Sequence, residues 1–292
     1  MARLPLELVP CLGLGVVLGM ALPWLPARLG PVLIRWGIPL SLAALLLRSE
    51  LSLTLVRAIL LGLLVPLASL LLLGLPPLRE GLGHNVLWLG AALGNTGYWG
   101  LPVALALLPP QALATAVVYD MAGTIVAWSV GPLMLRGARG AGWALWPMIL
   151  ASPALQGVAL FAILVHTPWH GALARALWWP ARLVLLLALT VVGMRLGLCL
   201  KDRTLTLSAG VPWALAFKLL VVPALVWGLA VLLGLPSLDR QTLVLQGAAP
   251  TALSVLLLAE SEGVEVSLAS TMVLVSTFTA MVTVPLWWRL IQ

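Results

Sequence analysis

Charge is what this sequence has least of. Of its 292 residues only 9% are Asp, Glu, Lys or Arg and 62% are hydrophobic, whereas a soluble globular chain carries roughly 25% charged residues. So few charges cannot cover a water-exposed surface, and a soluble domain is excluded. Cysteine is almost missing: Cys11 and Cys199 lie in apolar stretches with no partner nearby in sequence, which argues against a disulfide framework or a thiolate metal site and leaves both as packing residues. No phosphate-binding Gly-rich loop, nucleophile elbow or zinc motif occurs. The three histidines, His84, His166 and His170, all sit near run ends and are read as no metal site. Enzymatic chemistry therefore has no support, and no cofactor is expected beyond a coupling ion, H⁺ or Na⁺. Long hydrophilic connections are lacking too, so no soluble domain is inserted.

What remains is apolar runs of about 20 residues, the length that carries a helix across about 30 Å of hydrocarbon. The net charge of +7 would raise nucleic-acid binding in a soluble protein. Here the 16 basic residues are scattered between the apolar runs and read as anchors at lipid headgroups, so the expected partner is the bilayer and not nucleic acid. Many of the 14 Trp, including Trp24, Trp169, Trp178, Trp213 and Trp287, sit near run ends, where an indole prefers the interface. The N-terminal run superficially resembles a signal peptide, but Glu7 and Pro10 interrupt it and further spans follow at once, so it is read as the first span.

The runs give an all-α integral membrane protein of ten spans, near 5–24, 29–47, 54–76, 84–108, 111–135, 147–167, 172–197, 208–235, 239–260 and 264–290. Even parity puts both termini on one side. Arg28, Arg79, Arg136, Arg139, Lys201 and Arg203 fall on one face and Arg3, Arg48, Arg175, Arg240 and Arg289 on the other. With the basic RGARG at 136–140, this places the hinge in the cytoplasm and both termini outside the inner (plasma) membrane.

The hinge, 138–146, separates a first repeat (1–137) from a second (147–292). The third span reads LLVPLASLLLLGLPPL and the eighth LLVVPALVWGLAVLLGLPSL. Their prolines differ by 157 (66 and 223) and 160 (76 and 236). Because five is an odd number of crossings, two such halves lie in opposite orientations, the inverted repeat common among secondary transporters.

Two runs are interrupted. GNTGYWGLP at 94–102 places three Gly, a Pro and an Asn inside the fourth span, and QGAAPTALS at 246–254 places Pro250 inside the ninth. Gly94 and Pro250 are 156 apart, close to the offset of the third and eighth spans, so the interruptions occupy equivalent places. Broken backbone at mid-membrane depth is tolerated only where protein buries it or it lines a wet cavity, and paired interruptions mark a transporter's binding site. A half-helix beginning after each break would present about half a positive charge, and two such ends facing one cavity favour an anion. The expected substrate is a small organic anion, a mono- or dicarboxylate, held by Gly94, Asn95, Thr96, Pro250, Thr251 and Ser254. Structural kinks capped by Asn and Thr are the bland alternative.

Asp120 lies about a third of the way into the fifth span and is a functional candidate by position, either carrying a coupling proton or bracing a helix N-terminus. Lys218 in the eighth span either attracts the anion, pairs with Asp120, or snorkels along its four-carbon stem to the headgroups, as Arg35 does in the second span. Glu260, Glu262 and Glu265 cluster at a turn and read as a wet loop.

The sequence resembles the auxin efflux carrier family, which includes plant auxin exporters and bacterial carriers. The resemblance rests on NTGYWGLP at 95–102, on VVYD at 117–120 and on the Pro250 break leading to LLLAE at 256–260. It implies a fold like the bile-acid sodium symporters. In that fold spans four and nine cross within a transport domain (spans 3–5 and 8–10), set against a scaffold of spans 1, 2, 6 and 7 through which a homodimer forms. It also implies substrate near Asn95 and Pro250. Gly94 stands where plant auxin carriers have proline, and the hinge is short, which weakens auxin itself as the substrate. A non-transporting sensor or structural membrane protein on the same fold is the alternative function. A cysteine introduced at 136–140 is expected to react with an impermeant thiol reagent only from the cytoplasmic side; labelling in intact cells would reverse the orientation.

Overall fold

The computed structural model describes residues 9–48, 52–136, 152–202, 205–206 and 208–292; the hinge expected at 138–146 lies outside them. The described residues form helices in the order α1 (Val9–Ala21), α2 (Leu25–Leu46), α3 (Leu53–Leu73), a short α4 (Pro76–Leu82), α5 (Asn85–Ala92), α6 (Leu101–Leu107), α7 (Leu113–Arg136), α8 (Pro153–Leu164), a short α9 (His170–Ala176), α10 (Trp178–Asp202), α11 (Gly210–Leu232), α12 (Ser237–Gly247), α13 (Leu253–Glu262) and α14 (Val266–Ile291). Among the described residues six helices, α2, α3, α7, α10, α11 and α14, are long and apolar enough to cross a membrane, and α1 and α8 are shorter apolar helices. This is a multi-pass, all-helical architecture. The spans expected at 84–108 and 239–260 are each split in two, α5 from α6 and α12 from α13.

Boundaries shift where proline and glycine dictate. The third span stops at Leu73, and Pro76 and Pro77 then open α4, because a first helical turn has no use for their missing N–H. The expected seventh span divides into α9 and α10.

Glycine sets how closely some helices approach. α1 lies along α10, and a methyl group on Gly15 would collide with the Thr190 carbonyl and the Gly193 Cα. Gly19 meets the Met194 backbone in the same way, Gly193 the Leu12 carbonyl and Gly197 the Val16 carbonyl. Small residues four apart on both partners let backbones touch, which supplies dispersion contact where lipid offers no hydrophobic drive. α8 packs on α2 likewise, Gly157 resting on Leu42 and the Pro39 carbonyl.

Side-chain bonds fasten the outer ends of the split helices. Asn85 Nδ2, at the start of α5, donates to the Met134 carbonyl near the end of α7 (2.9 Å), and Gln241 Nε2, in the second turn of α12, donates to the Ile291 carbonyl at the end of α14 (3.1 Å). Glu265, in the turn expected to be wet, is partly exposed and also makes specific contacts. Its Oε1 lies 2.5 Å from His84 Nδ1, and its Oε2 accepts from the Val86 N–H (3.3 Å), capping α5 from the turn before α14. On α12, Asp239 accepts from Thr115 of α7 (2.5 Å). Pro223, inside α11, cannot donate to Leu219, and the Trp287 indole supplies that carbonyl instead (2.9 Å).

At the rim, guanidinium groups stack on indoles, Arg28 over Trp24, Arg48 over Trp178 and Arg79 over Trp88, within about 5 Å of each ring centre. The α1–α10 pair gives an internal contrast between a seam glycine and an open one. Gly193→Leu, forced against Leu12 and Gly15, is expected to destabilise by about 1–3 kcal/mol or more. Gly13→Leu, on the open face of α1 with nothing near its Cβ, should leave thermal unfolding in detergent unchanged. Equal melting temperatures for the two variants would refute the close seam.

Candidate substrate site at a helix crossing

The chain between α5 and α6 crosses the chain between α12 and α13, and the two breaks hydrogen-bond to each other. Gly94 and Thr251 form an isolated antiparallel bridge: the Asn95 N–H donates to the Pro250 carbonyl (2.7 Å) and the Ala252 N–H to the Leu93 carbonyl (3.0 Å). In this register Pro250 contributes only its carbonyl, so its missing donor costs nothing. The segment is closed to lipid, with Leu93, Asn95, Ala249, Thr251 and Ala252 all buried. Asn95 and Thr251, 156 residues apart, are therefore neighbours.

The six residues expected to hold substrate separate into two groups. Gly94, Asn95, Thr96 and Ser254 line a cavity of about 110 Å³. Pro250 and Thr251 do not: Thr251 is fully buried, with its hydroxyl donating to the Gly90 carbonyl (2.9 Å) and its N–H to Ser276 Oγ (3.0 Å). Thr251 thus satisfies the end of α5 and braces the crossing. The cavity is also lined by Ile38 of α2, Pro153 of α8, Trp128 of α7 and Leu257 of α13. Asn95 is 3% exposed and its Nδ2 has no hydrogen-bond partner, a buried donor facing the cavity whose desolvation is uncompensated.

The expectation of two free positive helix ends needs correction. After the first break the chain begins a π-helical turn, Thr96–Gly100, leading into α6. Asp120, also buried, accepts from Thr96 Oγ1 (2.5 Å), and its carboxylate lies against Gly97. The protein's own carboxylate occupies this end. The other end, the start of α13, has no side-chain cap, and its Leu253 and Ser254 line the cavity. Of the two helix starts at the breaks, the second therefore keeps an uncapped N-terminus.

Lys218 does not snorkel. It is 1% exposed, within a π-helical turn of α11, Phe217–Val221, and its ammonium donates to the Gly247 carbonyl at the end of α12 (2.8 Å). No carboxylate lies within 4 Å of it among the described residues, so it does not pair with Asp120. Arg35, by contrast, is exposed beside Trp36, as expected of a residue reaching the headgroups.

Gln246 escaped the sequence reading as a site residue. It is fully buried, and neither amide atom has a hydrogen-bond partner. With Lys218, Thr96 and Ser254 it lines a second cavity of about 40 Å³. Its signal was in QGAAPTALS: an amide buried four residues before the break. The glycines of GNTGYWG, read as helix breakers, have a further use. Gly94 makes room for the Lys218 ammonium, Gly97 for the Asp120 carboxylate and Gly100 for the Gln246 amide. A Cβ at any of the three would press on a buried polar group.

Residues 152–288 match the family model described as membrane transport protein. Two curated archaeal relatives are similar over most of the chain. One is an uncharacterized transporter of Methanothermobacter thermautotrophicus, 27% identical over 217 residues (72% of this chain and 70% of the relative). The other is an uncharacterized transporter of Methanocaldococcus jannaschii, 25% identical over 206 residues (68% and 66%). With NTGYWGLP in its first half and the family match across its second, the chain is similar to membrane transport proteins over most of its length.

Proposed function

We propose that this protein is a secondary transporter of a small organic anion, working by alternating access around the crossing of the two broken helices. The observation that carries the reading is the 110 Å³ cavity, where the orphaned Asn95 amide and the uncapped start of α13 meet beside an apolar wall. A carboxylate can satisfy Asn95 Nδ2 and the free N–H groups of α13 together, while Ile38, Trp128 and Leu257 take the rest of a compact molecule. Gly94, Thr96 and Ser254 complete the binding wall, and Thr251 and Pro250 hold its geometry.

In this reading the six long helices, α1, α8 and the two interrupted pairs make ten crossings in two inverted repeats. The matching fastenings of α5 to α7 and α12 to α14 support that symmetry: Asn85 and Gln241 are 156 apart, and their acceptors Met134 and Ile291 are 157 apart. The glycine-tightened pairs α1–α10 and α2–α8 form the scaffold. The crossing bundle moves against it, with the cavity on the boundary between Ile38 and Pro153 on one side and the breaks on the other. The protein sits in the inner membrane with both termini outside.

Asn95→Ala is expected to weaken binding of the transported carboxylate by roughly 1–3 kcal/mol without loss of folding, since the donor removed has no protein partner to strand. Isothermal titration against a panel of mono- and dicarboxylates measures it, and parent-like affinity for every ligand bound would remove Asn95 from the site. Asp120→Asn is expected to depress substrate exchange and gradient-driven uptake in proteoliposomes together, because it takes a charge from the end of α6 that orders the break. Intact exchange with lost pH-driven uptake would instead make Asp120 the carrier of a coupling proton.

A further inference from the structure

The smaller cavity differs in kind from the larger. Its lining comes from α3, α7, α11 and α12 together with the two breaks, including Val65, Tyr119, Lys218, Gln246 and Ser254, and includes no residue of α1, α2, α8 or α10. It lies within the crossing bundle and adjoins the larger cavity, with which it shares Gly94, Thr96 and Ser254. At about 40 Å³ it has space for only a water-sized species or two.

Two half-helices end at the crossing, and each must satisfy its last carbonyls without lipid or bulk water. α5 does so with a neutral group, the Thr251 hydroxyl on the Gly90 carbonyl. α12 does so with a cation, the Lys218 ammonium on the Gly247 carbonyl. A half-helix C-terminus carries about half a negative charge, and in transporters built on broken helices such ends and unwound carbonyls are where a coupling cation binds. The ammonium is held as a free ion would be: no carboxylate lies within 4 Å among the described residues, a backbone carbonyl faces it, and Gln246 supplies an unpartnered amide oxygen in the same cavity. Gly94 is the counterpart on the other break, since a side chain there would crowd Nζ, 3.2 Å from where a Cβ would stand.

We propose that Lys218 is a tethered substitute for a coupling cation: its ammonium fills a monovalent-cation site at the crossing, and the protein needs no sodium ion there. Removing the ammonium but leaving its space would uncover that site, with the Gly247 carbonyl and Gln246 Oε1 as ligands.

The test is thermal unfolding of the full-length protein in nanodiscs, at equal ionic strength in sodium, lithium, potassium or choline chloride. The parent should melt at the same temperature in all four. Lys218→Ala should melt lower in choline and recover several degrees, saturably, in sodium or lithium, because a ligand that binds only the folded state raises its stability. Lys218→Met, which fills the space without charge, should melt low in every salt. Three results would overturn the proposal: a sodium-specific rise in the parent, absence of any cation-specific rescue in a folded Lys218→Ala, or a saturable rise in the parent when gluconate is exchanged for chloride. The last would make the ammonium a counter-charge for an anion. Should Lys218→Ala not fold in any salt, the parent decides alone: indifference to both sodium and chloride sustains the proposal, and a response to either ends it.

Discussion

A backbone amide or carbonyl in the middle of a bilayer has no solvent to turn to, and the arrangement of this protein follows from how it meets that demand at two places. A single broken helix would leave several such groups bare, each costing several kcal/mol. Two breaks placed back to back can satisfy each other, as the Asn95 and Ala252 amides do with the Pro250 and Leu93 carbonyls. The crossing is therefore a shared solution and not two independent defects. It also explains the neighbours: Thr251 and Ser276 finish what the bridge leaves open on one side, and Lys218 finishes the end of α12. Helices α7, α11 and α14, which supply Asp120, Lys218 and Ser276, are held where these bonds require them.

Electrostatically the crossing is close to balanced by its own residues. Asp120 lies against the start of the half-helix after the first break and Lys218 against the end of the half-helix before the second, each matched in sign to the dipole it meets. Neither charge has a side-chain ion partner among the described residues. Helix ends and neutral hydrogen bonds stabilise both. What is left unbalanced is smaller and more specific: the Asn95 amide and the start of α13, both opening on the larger cavity. For the anion we propose, one free helix end and one neutral donor suit a single charge better than the two facing positive ends that the sequence implied.

Much of the architecture was legible because the bilayer leaves few alternatives. Run length separated the helices, and the interruptions at 94–102 and 246–254 located the crossing, as did the offset of 156 that pairs Gly94 with Pro250. Within the site the sequence could name the residues of the breaks but not their direction. Thr251 and Asn95 are both small polar residues at equivalent positions; the bridge register turns one hydroxyl onto Gly90 and leaves the other side chain facing the cavity. Lys218 was ambiguous for a related reason. A four-carbon stem reaches either the headgroups or the interior, and a π-helical turn, which leaves no mark in composition, accompanies the inward course. The contacts of Glu265 were hidden for another reason: only the fold brings the start of α5 beneath it.

The three glycines of the first break join these strands. A helix breaker needs only one or two glycines, yet Gly94, Gly97 and Gly100 recur every third residue, and each faces a polar side chain from a different helix, Lys218 of α11, Asp120 of α7 and Gln246 of α12. Two of the three lie beyond the bridge, where the chain has already resumed a helical course and where glycine costs about 1 kcal/mol relative to alanine. Close approach gives them a second role: a charged or amide group buried at the crossing sits against backbone in the space that a methyl group would take. Breaking the helix and seating the polar groups are therefore one property of the sequence GNTGYWG, and any change that repaired the helix would also displace the charges on which the crossing rests.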